Sequence, residues 1–91
     1  MAWAKYDKDS LVNLDRITDI NIKQDYTVMN RVVYSICFHC GRDNRYFTKP
    51  YYKSFEECMH AFEYLTGCLR SGKQFIDMTN IPAKFNFVMK N

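Results

Sequence analysis

Glycine is scarce in this chain, and the chain contains no long stretch that is uniformly apolar. The three glycines, Gly41, Gly67 and Gly72, are too scattered to form a loop that cradles phosphate. No apolar run approaches the roughly 20 residues of a membrane span, and the first ten residues carry charge from Lys5 onward without the apolar core of a signal peptide. We therefore expect a cytoplasmic protein that makes no contact with a membrane and keeps its four cysteines reduced.

A second Cys-x-x-Cys pair is also missing. Cys37 and Cys40 form one Cys-x-x-Cys-Gly motif, which is half of the four-ligand set that zinc needs. In a regular strand these two side chains point to opposite faces. The remaining candidates do not complete the set, because Cys58 and His60 lie about 200° apart around a helix axis, and Cys58 and Cys68 lie roughly 15 Å apart along it. We predict no metal and no cofactor, and we expect Cys37 and Cys58 to be small buried residues.

The sequence shows no assembled catalytic group. Cys37 and His39 share one face of a predicted strand, but nothing marks the orienting acid or the oxyanion site that a cysteine nucleophile needs. The neighbouring carboxylates Glu56 and Glu57 are better explained as residues at a helix start. We therefore predict that the protein is not an enzyme.

Aromatic side chains are plentiful for so short a chain. The 91 residues predict a single domain, 1–91, and include seven Phe, seven Tyr and Trp3. A domain of this size has a small core, so some of these rings should lie at a surface that a ligand, a partner or a second copy covers. Association is also a common way for a small domain to gain stability, and we expect a homo-oligomer.

Alternating apolar and polar residues predict an antiparallel sheet of about five strands. The predicted strands are "AWAKYD", "SLVNLD", "ITDINIK", "RVVYSICFHC" and "RYFTK". "QDYTVMN" is expected to form a loop or hairpin tip, and "GRDN" a turn in which Gly41 takes a positive φ. Pro50 should stop the last of these strands.

The clearest local signal is a helix at about 54–70. Ser54 and Glu57 form a capping box, and Arg70 and Gly72 mark the helix end. The predicted buried stripe comprises Phe55, Cys58, Met59, Phe62, Leu65, Thr66 and Leu69. After Gly72 we expect a short strand at "QFIDM" or an irregular tail, with Phe85, Phe87 and Val88 packing on the domain. The fold class is therefore α+β, with one helix in the C-terminal half lying across the sheet.

Positive charge is concentrated in the middle of the chain. Residues 1–31 carry five basic and five acidic side chains, whereas residues 32–53 carry four basic side chains against Asp43 alone. Within this segment "GRDNRYFTKPYYKS" interleaves basic residues with rings, and rings can stack on bases while guanidinium groups bond to phosphate. The candidate ligand-binding residues are Arg42, Arg45, Phe47, Lys49, Tyr51 and Lys53. The alternative interpretation is a hairpin whose rings fill the core and whose charges are solvated.

Several short patterns resemble those of small sheet-plus-helix proteins from Gram-positive bacteria and their phages. Those proteins combine a Trp-containing first strand, an "LxNLDxxxxI" segment, a further strand pair and an "SxEE" helix start. The matching residues, spread over residues 3–70, are Trp3, Leu11, Asn13, Leu14, Asp15, Ile20 and the run from Ser54 to Glu57. Some proteins of this general appearance are phage counter-defence factors, including the Thoeris anti-defence sponges, which sequester cyclic nucleotide signals. No binding residue of those sponges aligns with this sequence, so the resemblance implies a fold and a role but no site.

Together these features favour a non-enzymatic protein of a phage or mobile element that sequesters a nucleotide-type immune signal or a host defence component. The alternative is a protein-interaction module, such as an anti-CRISPR-like inhibitor or a homo-oligomeric scaffold, which uses the same exposed rings against a protein. The expected partners are an anionic nucleotide or an acidic protein surface, encountered in the host cytoplasm if the chain is phage-encoded.

Overall fold

A computed structural model of the protein describes residues 1–82. This part of the chain contains six strands and one α-helix. The strands are β1 (Trp3–Asp7), β2 (Ser10–Asn13), β3 (Asp19–Tyr26), β4 (Val32–Cys40), β5 (Asn44–Phe47) and β6 (Phe75–Asp77), and the helix is α1 (Phe55–Arg70). The α+β class and the helix expected at 54–70 are thereby confirmed. Phe85, Phe87 and Val88, which we expected to pack on the domain, lie outside the described residues.

The strands form two three-stranded sheets, which corrects the prediction of one antiparallel sheet of about five strands. In one sheet β3, β4 and β5 pair in chain order, and in the other the order is β2-β1-β6, with β6 parallel to β1. The two sheets separate at a 3-10 turn, Leu14–Arg16, where the Asn13 side chain accepts a hydrogen bond from the amide of Asp15 at 3.0 Å. β6 runs parallel to β1 because α1 carries the chain across the structure before β6 pairs.

The long hairpin of β3 and β4 is longer than the sequence predicted. β3 continues through Tyr26, so the first residues of the segment expected to be a loop belong to the strand. The turn is closed by hydrogen bonds between Thr27 and both Asn30 and Arg31, and Asn30 takes the left-handed conformation at φ 61°. At the other end of β4, Gly41 has a φ of 73°, as expected for this turn.

Beyond β5 the chain stays beside β4. The Thr48 amide donates to the Ile36 carbonyl at 3.0 Å, and its hydroxyl accepts from the Ile36 amide at 2.9 Å. Tyr52 then exchanges two backbone hydrogen bonds with Tyr34, at 2.8 and 2.9 Å. Pro50 therefore interrupts the pairing, as its missing N–H requires, but it does not end the contact between the two segments.

Both ends of α1 are capped by the residues that the sequence singled out. The Ser54 hydroxyl accepts from the Glu57 amide at 3.1 Å, and the Glu57 carboxylate accepts from the Lys53 amide at 3.2 Å. At the other end Gly72 has a φ of 79°, its amide donates to the Leu69 carbonyl, and the Lys73 amide donates to the Cys68 carbonyl. This is a Schellman motif, and it explains why glycine stands at position 72.

The core lies between α1 and the two sheets. Its buried members are Ala4, Val12, Ile36, Phe38, Cys58, Ala61, Leu65, Cys68, Ile76 and Met78. The predicted helix stripe is correct at Cys58 and Leu65 but wrong at Phe55 and Leu69, which are 47% and 42% exposed, and at Thr66, which is also exposed. The small side chains of Ala61 and Cys68, which the pattern left out, are buried instead.

Several rings lie at the surface, as the aromatic content predicted. The exposed rings include Trp3, Tyr26, Tyr51, Phe55 and Phe75. Among the described residues, no helix has the length and apolar character needed to cross a membrane.

Candidate ligand-binding surface

The β3–β4–β5 sheet has two faces of different character. Ile36 and Phe38 point into the core beneath α1, and the residues between them along β4 point the other way. We call this second side the outer face. Strand alternation and the register of the three strands assign to it Asp19, Asn21, Lys23, Asp25, Val33, Ser35, Cys37, His39, Arg45 and Phe47. The outer face is therefore mainly polar, with one large ring.

Two of the predicted site residues meet in a shallow depression on the outer face. Its volume is about 190 Å³, and Phe47 and Tyr51 line it together with Lys23 and Ser35. Asp25 and Gln24 complete the lining at the edge strand. Tyr51 is 45% exposed, so its ring is available to a molecule that enters the depression. The site thus combines two rings and the Lys23 ammonium group with the hydroxyls of Ser35 and Tyr51, the Gln24 amide and the Asp25 carboxylate.

Register explains why these side chains converge. Phe47 pairs with Cys37, and Ser35 pairs with Lys23, so the ring and the lysine approach β4 from opposite sides at neighbouring positions. The two residues stand two strands apart, on opposite sides of β4, and both side chains line the depression because they lie on the same face of the sheet. The next residue after Tyr51, Tyr52, forms backbone hydrogen bonds with Tyr34 and packs its ring toward the core. Because successive side chains of an extended segment point to opposite sides, Tyr51 points to the outer face and lines the depression.

Basic charge reaches the outer face from both edge strands. Burial raises the pKa of the Cys37 thiol, while the positive charges of Lys23 and Arg45 act on it in the opposite sense. Both cations therefore lie close enough to the centre of the outer face to influence a group there. Two acids share this face: Asp25, which lines the depression with Lys23, and Asp19, which also acts on the thiol.

The other four predicted site residues do not line the depression. Arg45 shares the outer face, but Arg42 lies in the turn between β4 and β5, and Lys53 immediately precedes the helix cap. The backbone amide of Lys49 donates to the Tyr6 carbonyl on β1. The six candidates therefore divide into three on one side of the sheet, Arg45, Phe47 and Tyr51, and three distributed along the connecting segments.

Sequence reasoning missed Lys23 and Ser35. Each stands in a segment that was correctly predicted as a strand, and each falls on the polar side of its alternation. What the sequence did not provide was the pairing of residue 23 with residue 35, and hence the placement of Lys23 near Phe47.

Cys37, His39 and Asp19 form a line of polar groups at one end of the outer face. The Cys37 sulfur lies 3.4 Å from His39 Nε2, and the same nitrogen lies 4.0 Å from Asp19 Oδ2. In a catalytic triad the acid holds one ring nitrogen of the histidine while the other nitrogen takes the proton of the nucleophile. Here the same nitrogen, Nε2, makes both contacts, so the three residues do not form such a triad. Cys37 is fully buried, and the side-chain oxygen of its neighbour Asn21 is buried without a hydrogen-bond partner. The Cys37 sulfur is therefore closed to substrate, although the Asp19 side chain is exposed.

The cysteines show the chemistry of packed side chains. All four are free thiols, and Cys37, Cys58 and Cys68 are buried. Burial raises the pKa of Cys58 to about 11, so this thiol is neutral at physiological pH. Within residues 1–82 no three His, Cys, Asp or Glu side chains are grouped so that they could hold a metal ion.

A larger groove shares Tyr51 with the depression on the outer face. Its volume is about 720 Å³, and its walls include Tyr52, Glu56, Glu57 and Met78. Among the described residues, its wall carries two carboxylates and no lysine or arginine, whereas the depression sets the Lys23 ammonium group against the single carboxylate of Asp25. The outer face is therefore the better candidate for a phosphate-bearing ligand.

Comparison with known proteins adds no relative to this description. No family model, no curated protein and no solved structure matches the chain.

Proposed function

We propose that this protein is a non-enzymatic binder that captures a small anionic ligand of the nucleotide type on its outer face. The observation that supports this most directly is the meeting of Phe47, Tyr51 and Lys23 in one depression, with Arg45 on the same side of the sheet. We further propose that it acts in the cytoplasm, by holding the ligand rather than converting it.

The side chains of the depression and the neighbouring Arg45 each have a role in this proposal. Phe47 or Tyr51 stacks on the base, which contributes roughly 1–3 kcal/mol per stacked base. Lys23 bonds to a phosphate group at the depression, and Arg45, which pairs four residues further along β4, makes a bidentate contact with a second phosphate group of the ligand. The Ser35 hydroxyl lies at the floor of the depression and is able to bond to a ribose or phosphate oxygen.

Sequestration by a phage counter-defence protein is the biological setting that we propose for this activity. Stoichiometric capture requires affinity without turnover, which agrees with a surface whose thiol is buried and protonated. The resemblance of the "LVNLDRITDI" and "SFEE" segments to small phage proteins directs the search toward cyclic nucleotide signals.

A panel of cyclic dinucleotides and cyclic ADP-ribose isomers tests the proposal. The purified protein is mixed with each compound, freed of unbound compound, and heated to release what it holds for identification by mass spectrometry. We expect one class of compound to be recovered intact and to raise the melting temperature, because a ligand that binds only the folded state stabilises it. Recovery of a hydrolysed product would contradict the proposal, and so would the absence of binding across the panel.

Matched variants then locate the site. Lys23→Ala and Arg45→Ala should each weaken binding about tenfold or more, as expected for the loss of a charge-assisted hydrogen bond. Phe47→Ala should weaken it by roughly 5- to 150-fold, which corresponds to one stacked base. Lys8→Ala is the control, because Lys8 is an exposed lysine in the β1–β2 turn of the other sheet and its loss changes the net charge equally. If Lys8→Ala weakens binding as much as Lys23→Ala, general charge and not the depression holds the ligand.

A protein-interaction module is the second candidate, and the tip of the β3–β4 hairpin favours it. Val28 is completely exposed, and Tyr26 and Met29 are 59% and 75% exposed. Neighbouring apolar side chains at this exposure often mark a protein contact. Substituting Val28 and Met29 by serine should leave nucleotide capture unchanged and abolish binding of a protein partner, so the two candidates are distinguished by one double variant.

A further inference from the structure

The free edge of β3 is the longest unpaired strand edge in the described part of the chain. β3 is the terminal strand of its sheet and has eight residues, whereas β2 and β6 at the edges of the other sheet have four and three. An edge of this length presents a row of backbone donors and acceptors to any strand that approaches it.

Alternation identifies the outward-facing backbone groups. On β4, Tyr34 and Ile36 bond toward Tyr52 and Thr48, so the residues between them bond toward β3. The β3 residues paired with those intervening positions are Asp19, Asn21, Lys23 and Asp25. The amides and carbonyls of Ile20, Ile22, Gln24 and Tyr26 therefore point away from the sheet. Asp25 already accepts from the Tyr26 amide at 2.8 Å, which leaves the remaining groups to water or to a partner.

We propose that two copies of this chain join through β3, antiparallel, about a two-fold axis at Gln24. This interface goes beyond the proposed function and does not depend on it. In this register Gln24 pairs with Gln24 of the second copy, and Ile22 pairs with Tyr26. The exposed Tyr26 ring is thereby covered by an aliphatic side chain, which is a favourable cross-strand pair.

Charge selects this register over its neighbours. It places Lys23 of each copy opposite Asp25 of the other, giving two pairs of opposite charge on the outer face. An axis at Ile22 would instead oppose Asp19 to Asp25, and an axis at Lys23 would oppose lysine to lysine. An axis at Asn21 also pairs opposite charges, Asp19 with Lys23, but it forms fewer hydrogen-bonded pairs of outward-facing residues. The edge is therefore complementary to itself in the Gln24 register.

The dimer would be one continuous six-stranded sheet. A two-fold axis normal to the sheet keeps both helices on one side and both outer faces on the other. Lys23, Gln24 and Asp25 line the depression described above, so the two depressions meet across the axis and each copy contributes residues to the rim of its partner's site.

Light scattering after size exclusion, repeated over a wide range of concentrations, tests the interface. We expect the wild-type chain to reach twice its 10.9 kDa mass. Lys23→Asp should reduce the mass to that of one chain, because it opposes two carboxylates, and the double variant Lys23→Asp with Asp25→Lys should restore the dimer. Lys8→Asp makes the same change of charge in the β1–β2 turn and should remain dimeric.

The double variant Lys23→Asp with Asp25→Lys also tests which register the two strands adopt. In the Asn21 register the partner of Lys23 is Asp19, so Asp25→Lys would fail to restore the dimer, and that failure would overturn the proposal. A wild-type chain that stays at one chain mass at every concentration would also overturn it. If Lys23→Asp does not fold, as judged by its circular dichroism, Gln24→Pro serves instead. The Gln24 amide points outward, so proline there spares the β3–β4 ladder and should still yield a monomer; a dimeric Gln24→Pro protein would contradict the interface.

Discussion

Two leucines on the same helix test which side of α1 faces the core. Leu65 is 1% exposed and belongs to the core cluster, whereas Leu69, one turn later, is 42% exposed. The sequence pattern placed both on one buried stripe, and the structure separates them. Leu65→Ala and Leu69→Ala make the same chemical change in the same helix, so the difference between them reports burial alone.

The expected losses follow from the packing. Truncating a fully buried leucine removes its transfer free energy and leaves a cavity, at a cost of about 3 kcal/mol. Leu69 loses little more than half of the transfer free energy and leaves no cavity, at about 1 kcal/mol. In a domain of this size a loss of 1 kcal/mol lowers the melting temperature by roughly 4–8 °C. Leu65→Ala should therefore lower it by about 12–24 °C, and Leu69→Ala by about 4–8 °C.

Urea denaturation followed by circular dichroism at the helix band measures both variants. The slope of the free energy of unfolding with urea should be unchanged, so that the midpoints alone report stability. Equal losses for the two variants would refute the packing described here. They would mean that α1 is rotated about its axis relative to the β3–β4–β5 sheet, so that Leu69 shares the core with Leu65.

Three further predictions test the helix cap, the thiols and one carboxylate. Gly72→Ala should lower the free energy of unfolding in urea by about 1–2 kcal/mol, because φ is 79° at this position and an added Cβ meets no neighbouring atom, so the cost is backbone strain alone. Gly72→Asn should cost less, because asparagine adopts the left-handed conformation more readily than alanine. Alkylation of the native protein at pH 8, read by mass spectrometry, should modify the half-buried Cys40 first and Cys58 last, because burial raises the pKa of Cys58 to about 11; early loss of the Cys58 thiol would contradict this. The Thr79 hydroxyl donates a hydrogen bond to the Asp77 carboxylate and lowers the pKa of that carboxyl. The stability that this hydrogen bond contributes is present above the unfolded-state pKa of Asp77 and is lost as the pH falls through its folded-state pKa. Thr79→Val should raise the pKa of Asp77 in a carboxyl NMR titration, and an unchanged pKa would show that the hydroxyl has no such effect.

Local signals in the sequence predicted the secondary structure well because their causes are local. The cap at Ser54 and Glu57 and the stop at Gly72 depend on residues within one turn of each other. The turn at Gly41 depends on one backbone dihedral. Each of these was correct, and so was the fold class.

The division into two sheets could not be read from the same signals. It depends on the break at Leu14–Arg16, after which β3 pairs with β4 and not with β2. The partner of β6 was equally hidden, because β6 has only three residues and no pattern that distinguishes β1 from any other strand. The position of the helix stripe failed for a related reason. Hydrophobicity marks Phe55 and Leu69 as core residues, but contact with the sheet selects the smaller Ala61 and Cys68, which allow a closer approach.

Lys23 of the candidate site was missed for the same reason, because its position depends on strand pairing and not on a local pattern. Arg45 and Phe47 were found because they stand in one short segment whose composition is unusual, but Lys23 belongs to a strand 22 residues earlier. Its place beside the depression follows from the register of β3 on β4, and a shift of that register by one residue would turn Lys23 into the core and Ile22 toward the ligand. The hydrophobic pairing of Ile20 and Ile22 with Phe38 and Ile36 excludes that shift, because it would place a lysine among buried side chains. The apolar residues on the inner face of this sheet therefore fix which charges appear on its outer face.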